Sequence, residues 1–231
     1  MVYYMCSNLS LICAVSASQW NGSKEELDMY QKKNKTRRIV LVSMLSGILL
    51  VMSFTPLGYL NIGPLAISLN MIPVAIGAVA LGPGGGAVLG AMFGFTSCMQ
   101  CIGIGGTSAM GVALFEISPL LTIIQRFIPR LLAGWLCGLL YAGLSKVMPH
   151  GRASSIAGFS AAALNTVLFM TALVLLFGNT TYLQNLIGGR NIIVFVCAFV
   201  GVNAVVEMLA ATVVVGAVCK ALEKTRLIGG K

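Results

Sequence analysis

Not one charged side chain stands between Arg38 and Glu116. A water-facing domain carries about a quarter of its residues charged. This chain has 9% charged and 58% hydrophobic residues over its 231 positions. Long apolar runs continue past Glu116 almost to the end. Stacked membrane-crossing helices are the fold that such a pattern predicts.

Six spans follow from the breaks between the runs. They cover residues 39–54, 69–81, 84–102, 118–144, 155–177 and 191–222. Thr55-Pro56 closes the first and Gly82-Pro83 the second, while Pro129 interrupts the fourth. The second span falls short of the ~20 residues of a full crossing, so it is expected to tilt or to be partly buried against its neighbours. The expected fold is an all-α integral membrane protein, a six-helix transmembrane bundle over residues 35–231 that ends in a short basic tail. Residues 1–34 read as a cytoplasmic N-terminal extension, either disordered or the product of an upstream start codon, with Met29 a natural alternative start. No basic segment precedes their apolar residues, which argues against a cleaved signal peptide.

Charge sets the orientation. Lys24, Lys32, Lys33, Lys35, Arg37 and Arg38 precede the first span, Lys146 and Arg152 flank the fourth-to-fifth loop, and Lys220, Lys224, Arg226 and Lys231 follow the sixth. Both termini are therefore expected in the cytoplasm, by the excess of Lys and Arg on that side. The net charge of +9 is a topology signal and implies no nucleic-acid partner.

Several motifs invite chemistry that their surroundings do not support. The run from Gly82 to Gly86 lacks the Lys-Ser/Thr of a phosphate loop and reads as a tight hairpin. Gly86, Gly90 and Gly94 recur every four residues, a spacing that lets helix backbones approach in lipid. Cys98 and Cys101 have the spacing of a redox or zinc pair, yet no second pair or histidine is near. They read as buried small residues. The single histidine, His150, falls in a cytoplasmic loop, so no Ser-His dyad can be built inside the membrane. An enzyme is not expected, and neither a cofactor nor a metal is implied.

Polar groups remain inside the spans: Asn70, Gln100, Gln125, Arg126, Arg130, Asn165, Asn203 and Glu207. Asn203 and Glu207 lie one turn apart on one helix face. Hydrogen-bond glue between helices and a ligand site both account for such groups, and their number favours the site. Arg126 and Arg130 are the most costly, because charge at membrane depth is unfavourable by roughly 2.5–3.5 kcal/mol per residue on insertion scales. Glu207 is the carboxylate at comparable depth, with Glu116 nearer the outer rim. If Arg130 pairs with Glu207, Arg126 is left for Glu116 or for an anionic group brought from outside. Ser43 and Gly47 form a small-residue pair on the first span, open to a neighbouring span or to another membrane subunit. Residues 103–111, rich in glycine, can be a plain connector or a lid.

The chain resembles the S-components, the substrate-binding membrane subunits of energy-coupling factor (ECF) vitamin transporters. The resemblance rests on the basic start Lys35-Thr-Arg-Arg-Ile39 and on the run from Pro73 to Pro83 leading into a Gly-rich span. It rests also on Ile128-Pro-Arg-Leu-Leu-Ala-Gly134, Leu164-Asn-Thr-Val-Leu168 and Val202-Asn-Ala-Val-Val-Glu207. It covers about residues 35–222 and is nearest the pantothenate, folate, riboflavin and cobalamin branch. It implies capture of a vitamin at the outer face, with a separate transmembrane coupling protein and two cytoplasmic ATPases supplying the energy. It also implies docking through the first span, where Ser43 and Gly47 stand in for the family's Ala-xxx-Ala. Two arginines and one deep glutamate suit a carboxylate-bearing compound, pantothenate first and folate second. The competing functions are a stand-alone secondary carrier for a small anion, which usually shows internal repeats, and a membrane scaffold without transport.

Overall fold

The computed structural model describes residues 35–55, 58–61, 66–104, 109–187 and 192–225. The expectations for residues 1–34 lie outside them. The chain falls into two compact units, Met1–Leu41 and Val42–Lys231. Of the first, the described part is the opening of a helix; the second holds everything that follows.

Helix α1 (Lys35–Phe54) is followed by two short strands, β1 (Tyr59–Asn61) and β2 (Ala66–Ser68), then α2 (Met71–Leu81) and α3 (Pro83–Cys101). After these come α4 (Ala109–Ile117), α5 (Pro119–Leu144), α6 (His150–Phe177), α7 (Thr181–Ile187) and α8 (Ile192–Lys224). Helix α1, α5, α6 and the Asn203–Lys224 part of α8 are each long and apolar enough to cross a membrane.

The all-α architecture is as expected, with one small addition. Strands β1 and β2 pair antiparallel, with Leu60 opposite Ile67, and β2 runs beside α8. Two further differences concern helix limits. Helix α5 continues through Pro129 without a break, although proline has no N–H to give the Gln125 carbonyl four residues back. Helix α6 begins at His150, earlier than expected, so His150 and Arg152 belong to its first turn and not to a loop. Its ring Nδ1 lies 3.2 Å from the Tyr141 hydroxyl, and the two share a hydrogen bond. The glycine-rich segment 103–111 is not connector throughout, since α4 starts inside it at Ala109.

Helix α2, ended by Gly82 at φ 79° and the following Pro83, occupies the centre of the bundle. Nine of its eleven residues are buried, and it touches α3, α5, α6 and α8. A helix apolar on every side belongs inside. Val74, Ala75 and Ala78 share a core with Leu49 of α1, Phe93 of α3, Ala133 and Cys137 of α5, Ala157 of α6 and Val215 of α8. A second cluster gathers Leu114 of α4 with Met170, Leu173 and Phe177 of α6 and Leu183 of α7.

The glycine stripe sets the most intimate contact. A Cβ on Gly86 would run into the Gly134 carbonyl, one on Gly90 into the Arg130 carbonyl, and one on Gly94 would lie 3.0 Å from the Phe127 Cα. Helix α3 therefore lies backbone to backbone along α5, in opposite direction. Gly90→Leu is expected to force these helices apart, lowering stability by about 1–3 kcal/mol or more. Thermal unfolding of the purified protein in detergent measures it; an unchanged midpoint would mean that the contact is not tight.

Candidate ligand site

The α3–α5 contact decides where the arginines go. Arg126 and Arg130 lie about 10 and 16 Å into α5 at ~1.5 Å per residue. Both are buried, at 5% and 6% exposure. Close approach of the backbones puts Arg126 against Ser97 of α3, whose Oγ accepts from Nη1 at 3.2 Å. It puts Arg130 over the ring of Phe93, 4.4 Å from guanidinium carbon to centroid. Arg130 Nη1 also donates to the Arg126 carbonyl at 2.7 Å.

Helix α6 closes the other side with Phe169. Its ring centroid lies 5.5 Å from the Arg126 guanidinium carbon and 5.2 Å from that of Arg130. A cation within about 6 Å of an aromatic centroid is attracted by the ring's quadrupole. Neither Ser97 nor either phenylalanine was legible as a site residue, because small and apolar side chains in a span look like packing.

Glu207 of α8 is buried at 9% exposure, and the charge acting on it is Arg130. Arg130, which shares the Phe169 ring with Arg126, is thus the arginine whose charge reaches Glu207. Asn203, one turn before Glu207, is partly exposed. Asn165, one turn before Phe169 on α6, is buried.

Two expected members serve the α1 side. Gln100 Nε2 donates to the Ser53 carbonyl at 2.7 Å, and Ser53 and Thr96 share a hydrogen bond of 3.2 Å between their hydroxyls. This polar ladder ties α1 to α3. Asn70 is fully buried at the head of α2, and a side chain on Gly58 would come within 2.7 Å of its Oδ1.

The buried polar atoms without hydrogen-bond partners carry the most information. Both amide atoms of Gln125 and of Asn70, Asn165 Oδ1, Glu207 Oε1 and the Ser68 hydroxyl are such atoms. Buried polar groups in folded proteins are nearly always paired, and leaving one unmade costs about 1–3 kcal/mol. Helix glue would have consumed these atoms. Gln125 adjoins Arg126 on α5, Asn165 stands one turn before the Phe169 that faces both arginines, and Glu207 is within reach of the charge of Arg130. The open atoms of these three are what a polar ligand would satisfy.

Cys101 Sγ donates to the Ser97 carbonyl at 3.3 Å and Cys98 Sγ lies 4.0 Å from the Ile123 carbonyl. Both are free thiols. Among the described residues no group of three or more His, Cys, Asp or Glu could hold a metal ion.

Apolar helices of membrane-crossing length around a buried, polar, cationic interior define a multi-pass membrane protein built to bind a solute. The model of the family "ECF transporter, substrate-specific component" matches residues 37–219, and the chain belongs to that family. It is similar to the pantothenic acid transporter PanT of Lactococcus lactis subsp. cremoris, 28% identical over 210 residues that span 84% of this chain and 98% of the relative. It is also similar to the pantothenate transporter PanT of Leuconostoc mesenteroides subsp. mesenteroides, 27% identical over 195 residues that span 80% of this chain and 91% of the relative.

Proposed function

We propose that this chain captures pantothenate at the outer face of a bacterial plasma membrane, as the substrate-binding and non-enzymatic subunit of an ATP-driven importer. The single observation that carries the reading is a pair of buried arginines, Arg126 and Arg130, in a membrane bundle that also leaves buried atoms of Gln125, Asn165 and Glu207 without hydrogen-bond partners. Pantothenate offers a carboxylate for an arginine and an amide and hydroxyls for amide and carboxylate side chains. The names of the two relatives favour the same ligand. Arg126 receives the carboxylate, Arg130 is the counter-charge of Glu207, and Gln125, Asn165, Asn203 and Glu207 meet the remaining polar groups. Asn70 and Gln100 line the α1 side of the site.

The reading has six spans, α1, α2, α3, α5, α6 and α8, with both termini in the cytoplasm, and the distribution of Lys and Arg supports that orientation. The hydrolysis of ATP belongs to two cytoplasmic ATPases, reached through a transmembrane coupling protein. The docking face is α1, where Ser43, Met44, Gly47, Ile48 and Val51 are all exposed. A side chain at Gly47 would meet nothing within 4 Å, which leaves room for a partner helix.

Titration calorimetry of the purified protein with pantothenate tests the function, alongside mass spectrometry of any small molecule that denaturation releases. Saturable binding or release of pantothenate is expected. Release of a different vitamin would keep the family and overturn the substrate. Uptake into vesicles driven by an ion gradient without ATP would instead support a secondary carrier.

A further inference from the structure

The arginines and phenylalanines form an alternating column. Phe93 faces Arg130 at 4.4 Å, Arg130 faces Phe169 at 5.2 Å, and Phe169 faces Arg126 at 5.5 Å. Two like charges one turn apart on a helix repel, and burial sharpens the repulsion. The negative faces of the rings offset it. Phe93 serves one cation, whereas Phe169 serves both. Phe169 is also only half-buried, and it stands one turn beyond Asn165 on the same face of α6.

We propose that Phe169 is a positioning residue that confers the site's preference for a carboxylate, by fixing the guanidinium plane of Arg126 between its ring and the Ser97 hydroxyl. The inference rests on the reading that Arg126 receives the ligand's carboxylate. A guanidinium recognises a carboxylate through two parallel N–H groups in one plane, so the orientation of that plane determines whether both bonds form. The Ser97 Oγ contact at 3.2 Å fixes one edge of the group, and the ring fixes its tilt. A leucine at this position fills much of the same space without a quadrupole. The second cluster, against which Phe169 packs and which includes Met170 and Leu173, would then still be covered while the guanidinium loses its seat.

The test is titration calorimetry of the full-length protein with two ligands, pantothenate and its primary-alcohol analogue, in which a hydroxymethyl group replaces the carboxylate. The unmodified protein binds pantothenate more tightly. Phe169→Leu is expected to weaken pantothenate by about tenfold while the alcohol changes much less, so the ratio of the two affinities collapses. Phe169→Trp, with the strongest cation-binding ring, keeps the ratio. Equal losses for both ligands in the leucine variant would overturn the proposal and reduce Phe169 to a packing residue. So would a tryptophan variant that discriminates no better than the leucine one. Phe169→Met carries the same comparison if the leucine variant fails to fold. Equal binding of the two ligands by the unmodified protein would overturn the Arg126 reading itself, a result separate from any effect of Phe169.

Discussion

Replacing Arg126 with glutamine is expected to weaken pantothenate binding by about tenfold to a hundredfold, the loss for hydrogen bonds to a charged group. Glutamine keeps a polar side chain at this buried position, but it removes the charge, the planar fork and the stacking on Phe169, and it is two bonds too short to replace the Nη1 contact to Ser97 Oγ. The binding loss is expected to fall on the carboxylate. Titration calorimetry gives the affinity, and the thermal midpoint without ligand gives the control. An affinity equal to that of the unmodified protein would move the carboxylate to another group. Arg130 is the obvious alternative, but it is seated between two rings and bonded to the Arg126 carbonyl. That leaves Arg126 the better placed of the two to change partners when a ligand arrives.

What the sequence disclosed and what it concealed follow from how each element is built. The long helices were legible because apolar runs of that length have few alternatives, and α3 was legible from Pro83 to Cys101 despite its glycines. The glycine stripe even announced its purpose, since Gly86 and Gly90 do meet the α5 backbone. The β1–β2 hairpin was not legible, because three residues per strand leave no alternation to detect. Helix α4 hid behind glycines that suggested a bare loop, and α7 is only two turns long. Pro129 misled in the opposite direction. Its missing donor suggested a break, yet burial among the bundle's helices holds α5 together across it.

The site divides along the same line. Charged and amide residues stand out in an apolar chain, so Arg126, Arg130, Gln125, Asn165 and Glu207 can be singled out as candidates without a structure. Their roles could not. Gln100 looks the same in sequence as Gln125, yet one bonds the Ser53 carbonyl across to α1 and the other leaves both amide atoms open. Ser97, Phe93 and Phe169 carry no signal in their own identity. They matter only because α3 and α6 bring them against two cations. A polar residue's hydrogen-bond surplus is a property of the fold and not of the residue.

Glu207, proposed above as the counter-charge of Arg130, offers the second large effect. Removing one partner of a buried charge pair costs about 3–5 kcal/mol, because the other charge is left uncompensated, while replacing both with apolar residues is often neutral. Glu207→Ala is therefore expected to lower the thermal midpoint of the ligand-free protein sharply. The double variant Arg130→Met with Glu207→Leu should recover most of that loss, since no buried charge is stranded. The same double variant separates folding from binding. Ligands that bind only the folded state raise its midpoint in proportion to their affinity, and Glu207 Oε1 is one of the atoms left open in the site. Saturating pantothenate should thus stabilise the double variant much less than the unmodified protein. If the double variant is instead no more stable than the glutamate single variant, Arg130 and Glu207 do not act as a pair. The place of Arg130 between the rings of Phe93 and Phe169 would then be what holds it in the membrane.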